Sequence, residues 1–257
     1  MWGLIPAAGH GIHIQPLGFS KALLPTAHLI ENGAQRPRAV SEVVVERLIA
    51  GGATKLCFVI GSGNSDILEY FGGSVRGIPT CYVVQPEPAG LCDAMFRALP
   101  LLYPDEAVAV ALPDTIWFPE NALAALPDDD LSFLLFSVSR PESFDVVITN
   151  SLGYVRRIDV KPEAPRSSWI WGAFKMPGAV MEELFTLWCE RDRRDEYFGT
   201  LVNAYLASGG TARAFPIGTY YVDVGALDRC RQAVLSQERG HLRALVSRRS
   251  THQVDTR

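Results

Sequence analysis

The N-terminal stretch combines small residues, two glycines and a following lysine, a set that could bind phosphate groups. An apolar segment over residues 2–5 predicts a buried strand that runs directly into Ala7, Ala8, Gly9, His10 and Gly11. A strand that ends in a glycine-rich turn exposes backbone N–H groups, and no bulky side chain keeps an anion away from them. Lys21 follows ten residues after Gly11, so the loop can fold back and place an ammonium group over the same anion. This arrangement predicts a triphosphate site.

Neither of the two common phosphate-loop motifs is present. The pattern G-x-x-x-x-G-K-[ST] fails because no glycine precedes Lys21, and G-x-G-x-x-G fails because Ile14 stands at the third glycine position. The stretch instead resembles the signature of the sugar-1-phosphate nucleotidyltransferases, roughly A-A-G-x-G-[ST]-R-x-x-P-L-T-x-x-x-P-K-x-L-L-P. The matches, in order, are Ala7, Ala8, Gly9, Gly11, Pro16, Leu17, Lys21, Leu23, Leu24 and Pro25. The departures are Ile12 for Ser/Thr, His13 for arginine and Ser20 for proline. The alternative is an ordinary strand and glycine turn.

A second segment, residues 85–94, follows a predicted strand and opens a predicted helix. The Gln85 amide can donate to and accept from a pyrimidine edge at once, and Gly90 lets a base approach the backbone. The segment resembles the base-binding pattern Q-x-x-P-x-G-L-x-x-A of thymidylyl- and uridylyltransferases. This resemblance implies that Gln85, Gly90 and Leu91 bind the nucleotide. The alternative is a polar turn with a helix cap.

Two aspartates stand at the ends of predicted strands. Asp114 follows the apolar run 107–112, and Asp223 follows the short strand 220–222. Carboxylate oxygens suit Mg²⁺, and a carboxylate at the carboxyl end of a central strand faces the ligand side. The family resemblance implies that both hold Mg²⁺ and that Lys21, His13 and Asp114 are catalytic. The alternative for Asp114 is a turn cap.

The residues expected to bind the sugar phosphate match the family's motifs less well. Lys161 with the following proline resembles the end of the family's E-K-P motif, in which the lysine binds the sugar phosphate. Val160 stands where the family has its sugar-binding glutamate, and Asp145 stands where it has a sugar-facing glycine. The resemblance also assigns Gly172 and Tyr221 to this pocket. The alternative for Lys161 is a solvated surface lysine.

Other sites can be excluded. The acidic run 128–130 suggests a D-x-D glycosyltransferase motif, but it follows a helix and precedes a strand, so we expect it at the opposite edge of the sheet from Asp114. The five histidines lack metal-ligand spacing, and no Gly-x-Ser-x-Gly motif supports a serine nucleophile.

The resemblance implies transfer of a nucleotidyl group from a pyrimidine NTP, dTTP or UTP, to a sugar 1-phosphate, which releases pyrophosphate. A phosphate oxygen would attack the α-phosphorus, and catalysis would rest on positioning and charge stabilisation. An unperturbed histidine is mostly neutral near pH 7, unlike the family's arginine, so the presence of His13 leaves open an alternative, a catalytically impaired nucleotide- or nucleotide-sugar-binding protein.

Composition limits the possible classes of protein. The chain has 257 residues, 48% of them hydrophobic and 20% charged, and a net charge of −4, as in globular proteins. We expect no nucleic-acid partner, no membrane span and no signal peptide. The five scattered cysteines suit a reducing cytoplasm. NTP and sugar phosphate are the expected partners, and homo-oligomerisation stays open.

Strands and helices alternate in the first half. Helices are predicted at 39–50, 65–71, 91–102, 121–126, 179–189, 197–207 and 226–237. Strands are predicted at 55–60, 80–84, 107–112, 131–138, 145–149, 153–160, 169–176, 212–216 and 220–222. Residues 26–37 are expected to form a loop. The pattern predicts a three-layer α/β fold, Rossmann-like, with a mixed, mainly parallel sheet and an antiparallel excursion. It is expected to form a single domain over residues 1–246, followed by a mobile tail at 247–257.

Overall fold

The computed structural model describes residues 1–9, 20–31 and 34–224. The strands are β1 Trp2–Ala7, β2 Pro25–Glu31, β3 Ala34–Ala39, β4 Lys55–Gly61, β5 Ser74–Val75, β6 Ile78–Gln85, β7 Ala107–Ala111, β8 Thr115–Phe118, β9 Leu131–Ser137, β10 Val146–Thr149, β11 Val155–Asp159, β12 Trp169–Pro177, β13 Ala212–Gly218 and β14 Tyr220–Asp223. The α-helices are α1 Val40–Ala50, α2 Ser65–Phe71, α3 Gly90–Phe96, α4 Gly178–Glu190 and α5 Phe198–Ala207. Short 3₁₀ helices include Lys21–Leu23, Leu99–Leu101, Ala122–Ala125 and Pro141–Ser143.

The centre of the sheet is parallel. β1 pairs with β4 on one side and with β7 on the other, and β4 pairs with β6, all in parallel. The carboxyl ends of these strands therefore meet at one edge of the sheet, where ligands bind in folds of this kind. That edge receives Gly9 after β1, Gln85 at the end of β6 and Asp114 after β7.

The second half of the chain adds antiparallel strands. β12 runs antiparallel to β7 and also to β9, and β13 pairs in parallel with β9. β10 pairs with β12 at Ile170 and continues into an antiparallel pair with β11. The sheet is therefore mixed, with a parallel centre and an antiparallel excursion, which confirms the predicted fold class.

Alternating side chains of the central strands enter two apolar layers. Leu4 and Val110 pack on one face with the residues of α3, α4 and α5, whereas Ile5 and Ala109 pack on the other face with α1. This alternation follows from the period of two in a strand. A strand whose two faces are both covered is apolar throughout, which explains why the central runs are recognisable in the sequence.

The prediction of a loop over residues 26–37 is wrong. β2 and β3 form an antiparallel two-stranded hairpin, in which Pro37 stands opposite His28. Proline lacks an N–H and is rare in central strands, but an edge strand needs hydrogen bonds on one side alone. The α-helices predicted at 91–102 and 121–126 also differ from the structure. Residues 99–101 and residues 122–125 form short 3₁₀ helices instead.

The acidic run lies where the sequence predicts, away from the ligand edge. Asp128 precedes β9, and its carboxylate lies 2.8 Å from the ammonium of the buried Lys175 in β12. Lys175 stands opposite Ala109, while Ala173 stands opposite Ala111, nearer the carboxyl end of β7 and Asp114. In the part of the chain that the structure describes, no helix is long and apolar enough to span a membrane.

Candidate active site

Lys21 lies on a short turn that is fixed on several sides. It begins the 3₁₀ helix, whose N-terminus is capped by the Ser20 hydroxyl, which accepts a hydrogen bond from the Ala22 N–H at 3.3 Å. The Ser20 N–H in turn donates to Asp66 of α2 at 2.6 Å. The Ser41 hydroxyl of α1 donates to the Ala22 carbonyl at 2.6 Å. These bonds hold the lysine backbone at the carboxyl edge of the sheet.

The side chain of Lys21 reaches over the end of β1. A Cβ placed on Gly9 would lie 3.8 Å from Lys21 Cε, so the lysine stem lies next to the first glycine of the loop. Its ammonium lies 2.7 Å from Asp114 Oδ2. The Asp114 side chain is 7% exposed and that of Lys21 is 27% exposed. The structure therefore brings together the lysine and the aspartate that the sequence predicts.

Asp223 joins the same cluster through the pairing of β8 with β14. Asp223 stands opposite Thr115, the residue after Asp114, and the Val224 N–H donates to the Asp114 carbonyl at 2.8 Å. The two aspartates thus lie on adjacent segments although they are far apart in the sequence. Two acidic side chains and one ammonium form a compact charged group at the ligand edge.

The charge of Lys21 is secured by this group. Burial works to lower the pKa of Lys21, but the carboxylates of Asp114 and Asp223 outweigh burial and raise the pKa above 10.5. The ammonium therefore stays protonated at all physiological pH values. A permanent positive charge beside Gly9, at the end of β1, can stabilise anionic phosphate oxygens.

Gln85 is held by the protein through its amide nitrogen. Gln85 Nε2 donates to Asp93 Oδ2 at 2.7 Å and to the Gly90 carbonyl at 3.2 Å. The residue is 3% exposed. The prediction that the amide donates to and accepts from a base at once therefore needs correction. Both amide hydrogens are engaged within the protein, and the oxygen is the atom left for a ligand.

The structure supplies a second reason for glycine at position 90. Its φ is +85°, and a Cβ there would lie 2.8 Å from the Glu196 carbonyl oxygen. The neighbouring Leu91 N–H donates to that same carbonyl at 3.2 Å. The loop between α4 and α5 therefore packs directly on the segment that starts α3.

The same loop leads to Lys161. The Lys161 ammonium lies 4.7 Å from the centroid of the Tyr197 ring, a cation–π distance. Lys161 also has a φ of +39°, which is rare for a residue with a side chain. Glu196 and Tyr197 thus connect the Gln85 segment with the Lys161 segment along one side of the site.

Asp145 is a buried carboxylate beside Lys161. Burial raises the pKa of Asp145, while the Trp171 indole and the ammonium and backbone N–H of Lys161 act in the opposite direction. The Trp171 Nε1 lies close to the carboxylate, although the geometry falls short of a standard hydrogen bond. A Cβ on Gly199 would lie 3.2 Å from Asp145 Oδ2 and 3.0 Å from Val160 Cγ2. Asp145 and Val160 therefore border the same small space.

Gly172 and Tyr221 lie against each other. A Cβ on Gly172 would lie 2.6 Å from atoms of both the Phe136 and the Tyr221 rings. The Tyr221 ring centroid lies 5.2 Å from that of Phe136 and 5.8 Å from that of Phe144. Gly172 is thus required for an aromatic wall to pack on β12. The register of the pairing between β12 and β9 also shifts at this position, between Trp171 and Ala173.

Comparison with known proteins gives the family. The model of the family described as nucleotidyl transferase matches residues 2–239. The chain belongs to the nucleotidyl transferase family. This match confirms the resemblance seen in the N-terminal motif, and it makes the protein an enzyme of the nucleotidyltransferase type.

Individual relatives agree with the family. The chain is 25% identical over 233 residues to the UTP–glucose-1-phosphate uridylyltransferase AglF of Haloferax volcanii, which covers 88% of this chain and 91% of that protein. It is 29% identical over 177 residues to the glucose-1-phosphate thymidylyltransferase of Neisseria meningitidis, over 66% of this chain and 58% of that protein. The solved UDP-glucose pyrophosphorylase of Acinetobacter baumannii has the same fold, with a TM-score of 0.72 at 18% identity, over 91% of this chain and 92% of that chain.

Several expectations for this nucleotidyl transferase fall outside the described residues. His10, Gly11, His13 and the predicted helix at 226–237 belong to this group. Within residues 1–9, 20–31 and 34–224, no group of three or more His, Cys, Asp or Glu side chains is arranged to hold a metal ion. The pair Asp114 and Asp223 is smaller than such a group.

Sequence reasoning did not identify several residues that contact and hold the predicted site residues. Arg97 forms two hydrogen bonds to Asp93, at 3.0 and 3.2 Å, and Asp93 is the residue that holds Gln85. The i,i+4 spacing of Asp93 and Arg97 is a recognisable sign of a helical ion pair. No comparable sign points to Glu196 and Tyr197, because their contacts come from a loop about 100 residues further along the chain.

Proposed function

We propose that this nucleotidyl transferase joins a pyrimidine nucleoside triphosphate to a sugar 1-phosphate. A phosphate oxygen of the sugar phosphate attacks the α-phosphorus, a new O–P bond forms, and the α–β phosphoanhydride bond breaks. The products are an NDP-sugar and pyrophosphate. Two relatives support this substrate class by their names, one a UTP–glucose-1-phosphate uridylyltransferase and the other a glucose-1-phosphate thymidylyltransferase.

The observation that carries the proposal is the position of Lys21. Its ammonium lies 2.7 Å from Asp114 and beside Gly9, at the ligand edge of the sheet. In the proposed reaction, the lysine turns from Asp114 towards phosphate oxygens and stabilises the charge that develops as pyrophosphate leaves. The backbone N–H groups after β1, from Ala8 to Gly11, would hold the phosphates. Ala7 precedes them as the last residue of the buried strand.

Asp114 and Asp223 are the residues that would hold Mg²⁺. Two carboxylates are hard oxygen ligands, and a pair of them suits an ion that keeps several waters and binds mainly through phosphate. The observation that fits this ion is the close approach of the two acidic segments, whose charge Lys21 now offsets. When bound, Mg²⁺ would supply further neutralisation of the phosphate charge.

The two substrates would occupy opposite ends of the site. The base would lie against Gln85, Gly90 and Leu91, at the start of α3. The sugar phosphate would lie near Lys161, with Asp145 as an acceptor for sugar hydroxyls and with Gly172 and Tyr221 forming the wall. Glu196 and Tyr197 run between these two ends, so one continuous surface can hold both substrates.

A coupled assay for pyrophosphate tests this function. The full-length protein is incubated with Mg²⁺ and with each of UTP, dTTP, CTP, GTP and ATP, in combination with glucose 1-phosphate and other hexose 1-phosphates. We expect pyrophosphate release with UTP or dTTP, dependent on the sugar phosphate. A protein that binds nucleotide and releases no pyrophosphate with any pair would be a binding protein of the same fold instead.

A further inference from the structure

A chain of three polar side chains lies behind the proposed base site. Gln85 Nε2 donates to Asp93 Oδ2 at 2.7 Å, and Arg97 donates to both Asp93 oxygens, with Nε at 3.2 Å from Oδ2 and Nη2 at 3.0 Å from Oδ1. Gln85 is 3% exposed and Asp93 is 7% exposed. The chain links the end of β6 to the first turn of α3 and to Arg97, the residue directly after that helix.

The partners of Gln85 determine which way its amide faces. Both groups on one side of the amide, the Asp93 carboxylate and the Gly90 carbonyl, can accept hydrogen bonds and cannot donate them. The amide nitrogen must therefore face them, and the reversed orientation would bring three oxygens together. Within the described part of the chain no group donates to Gln85 Oε1, and this oxygen is not among the fully buried unpaired atoms.

We propose that Asp93 is a positioning residue that fixes Gln85 so that the base site presents an acceptor and selects a base with a ring N–H. The inference rests on the proposed function, because it takes Gln85 to face the base. Uracil and thymine carry a hydrogen at ring position N3, which can donate to Gln85 Oε1. Cytosine has a bare N3, whose lone pair would face the amide oxygen.

The difference in binding free energy between a base with an N3 hydrogen and a base with a bare N3 arises from unpaired acceptors. When a base with a bare N3 occupies the site, two acceptors face each other without a hydrogen between them, in a place that is closed to most water. A site built to accept a hydrogen bond discriminates strongly against an analogue that lacks the donor. Gln85 can escape this restriction by turning its amide over, and Asp93 prevents that turn. Arg97 holds both Asp93 oxygens and so prevents the carboxylate from moving aside.

Calorimetric titration of nucleotides tests this mechanism without turnover. The full-length protein is titrated in Mg²⁺, without sugar phosphate, with UTP, dTTP, CTP and N3-methyl-UTP. We expect the wild type to bind UTP or dTTP at least about tenfold more tightly than CTP and N3-methyl-UTP. In the variant Asp93→Asn, the new amide can donate to Gln85 and allow it to turn over. The ratio of UTP to CTP affinity should then fall by about tenfold.

The variant Asp128→Asn is the matched control. It makes the same change in an aspartate that also pairs with a cation, at the opposite edge of the sheet. It should keep the wild-type ratio. If Asp93 were merely structural, Asp93→Asn would lower the melting temperature and leave the ratio of affinities unchanged. The N3-methyl-UTP titration needs no variant, so it tests the required ring N–H, and can overturn the inference, even if Asp93→Asn fails to fold.

The outcomes separate the inference from the proposed function. Loss of the UTP preference in Asp93→Asn, with tight UTP and weak N3-methyl-UTP binding in the wild type, supports the inference. A wild type that binds N3-methyl-UTP or CTP as tightly as UTP overturns it, as does a folded Asp93→Asn that keeps the full preference. A wild type that binds none of the nucleotides contradicts the proposed function itself and the inference with it.

Discussion

Replacing Lys21 by methionine should lower turnover and raise the affinity for a divalent metal ion. In our proposal the same ammonium pairs with the carboxylates in the free enzyme and with the phosphates during the reaction. The change keeps the length and apolar stem of the side chain and removes its charge. Turnover should fall because one of the positive charges that stabilise the departing pyrophosphate is lost. Binding of a divalent metal ion to the free enzyme should become tighter, because the ammonium no longer competes for Asp114.

The magnitudes follow from the geometry. The ammonium lies 2.7 Å from Asp114 Oδ2, so a divalent metal ion on that carboxylate would lie within about 4 Å of it, where charges of +2 and +1 repel by about 8 kcal/mol at an effective dielectric constant of about 20. Movement of the lysine relieves most of this repulsion, and we expect a net gain in metal affinity of at least about 1.4 kcal/mol, or tenfold. Loss of one preorganised charge contact in a transition state typically lowers kcat by about 10²–10³.

The assay has two arms. Calorimetry measures binding of Mn²⁺ alone to the wild type and to Lys21→Met, and the pyrophosphate assay measures kcat for the same proteins. Lys55→Met is the matched control, because Lys55 also pairs with a carboxylate, that of Glu106, near the amino end of β4. The control should change neither kcat nor the affinity for Mn²⁺. Lys21→Met leaves the buried Asp114 without its cation, and its melting temperature should recover when Mn²⁺ is added.

Two results would refute this reasoning. If kcat of Lys21→Met stays within a factor of about three of the wild type, the ammonium does not stabilise the reaction. If Mn²⁺ binds Lys21→Met no better than the wild type, Lys21 and the metal do not share Asp114, and the metal assignment fails.

Three further predictions concern the remaining parts of the site. Gln85→Ala should weaken UTP and dTTP binding by about 1–3 kcal/mol in calorimetry, because it leaves the base unpaired, and tighter binding of GTP or ATP than of UTP and dTTP to the wild type would overturn the assignment. Burial raises the pKa of Asp145 in the folded protein above 3.8, so the folded state favours the protonated carboxyl group. The contribution of this group to the free energy of unfolding is therefore complete below pH 3.8 and is lost as pH rises through the raised pKa. Asp145→Asn should therefore melt at or above the wild-type temperature at pH 8 and lose this advantage near pH 4; equal destabilisation at both pH values would contradict the assigned shift. His13 stands at the position of the family's arginine, and nearby phosphates should raise its pKa, so activity should fall as pH rises through that value and His13→Arg should raise turnover and remove the fall. If His13→Arg and His13→Ala both leave the pH–rate profile unchanged, His13 has no catalytic role.

The central strands and the charged cluster could be predicted from the sequence because their signals are local. β1, β7 and the part of β4 after Lys55 are apolar, while Asp114 follows β7 and Asp223 ends β14. The rule that ligands bind at the carboxyl ends of parallel strands is then enough to place Asp114 near the glycine turn. Asp223 needed the family resemblance, since its own strand is four residues long.

The remaining features depend on contacts between distant segments. Gly33 and Pro37 are typical of a loop, and the hairpin forms because β2 supplies a partner for β3 on one side. The orientation of the Gln85 amide depends on Asp93, whose carboxylate reaches back from α3. The position of Tyr197 beside Lys161 depends on how the loop after α4 packs on Gly90. No local pattern specifies these contacts.

The destination of isotopically labelled oxygen tests the central claim most directly. Glucose 1-phosphate with ¹⁸O in its three non-bridging phosphate oxygens is incubated with UTP or dTTP, Mg²⁺ and the wild-type protein, and the products are analysed by mass spectrometry. Attack of a sugar-phosphate oxygen on the α-phosphorus predicts that all of the label appears in the NDP-sugar and none in pyrophosphate. Label in pyrophosphate, or the absence of any NDP-sugar from a protein that binds the nucleotide, would contradict the account.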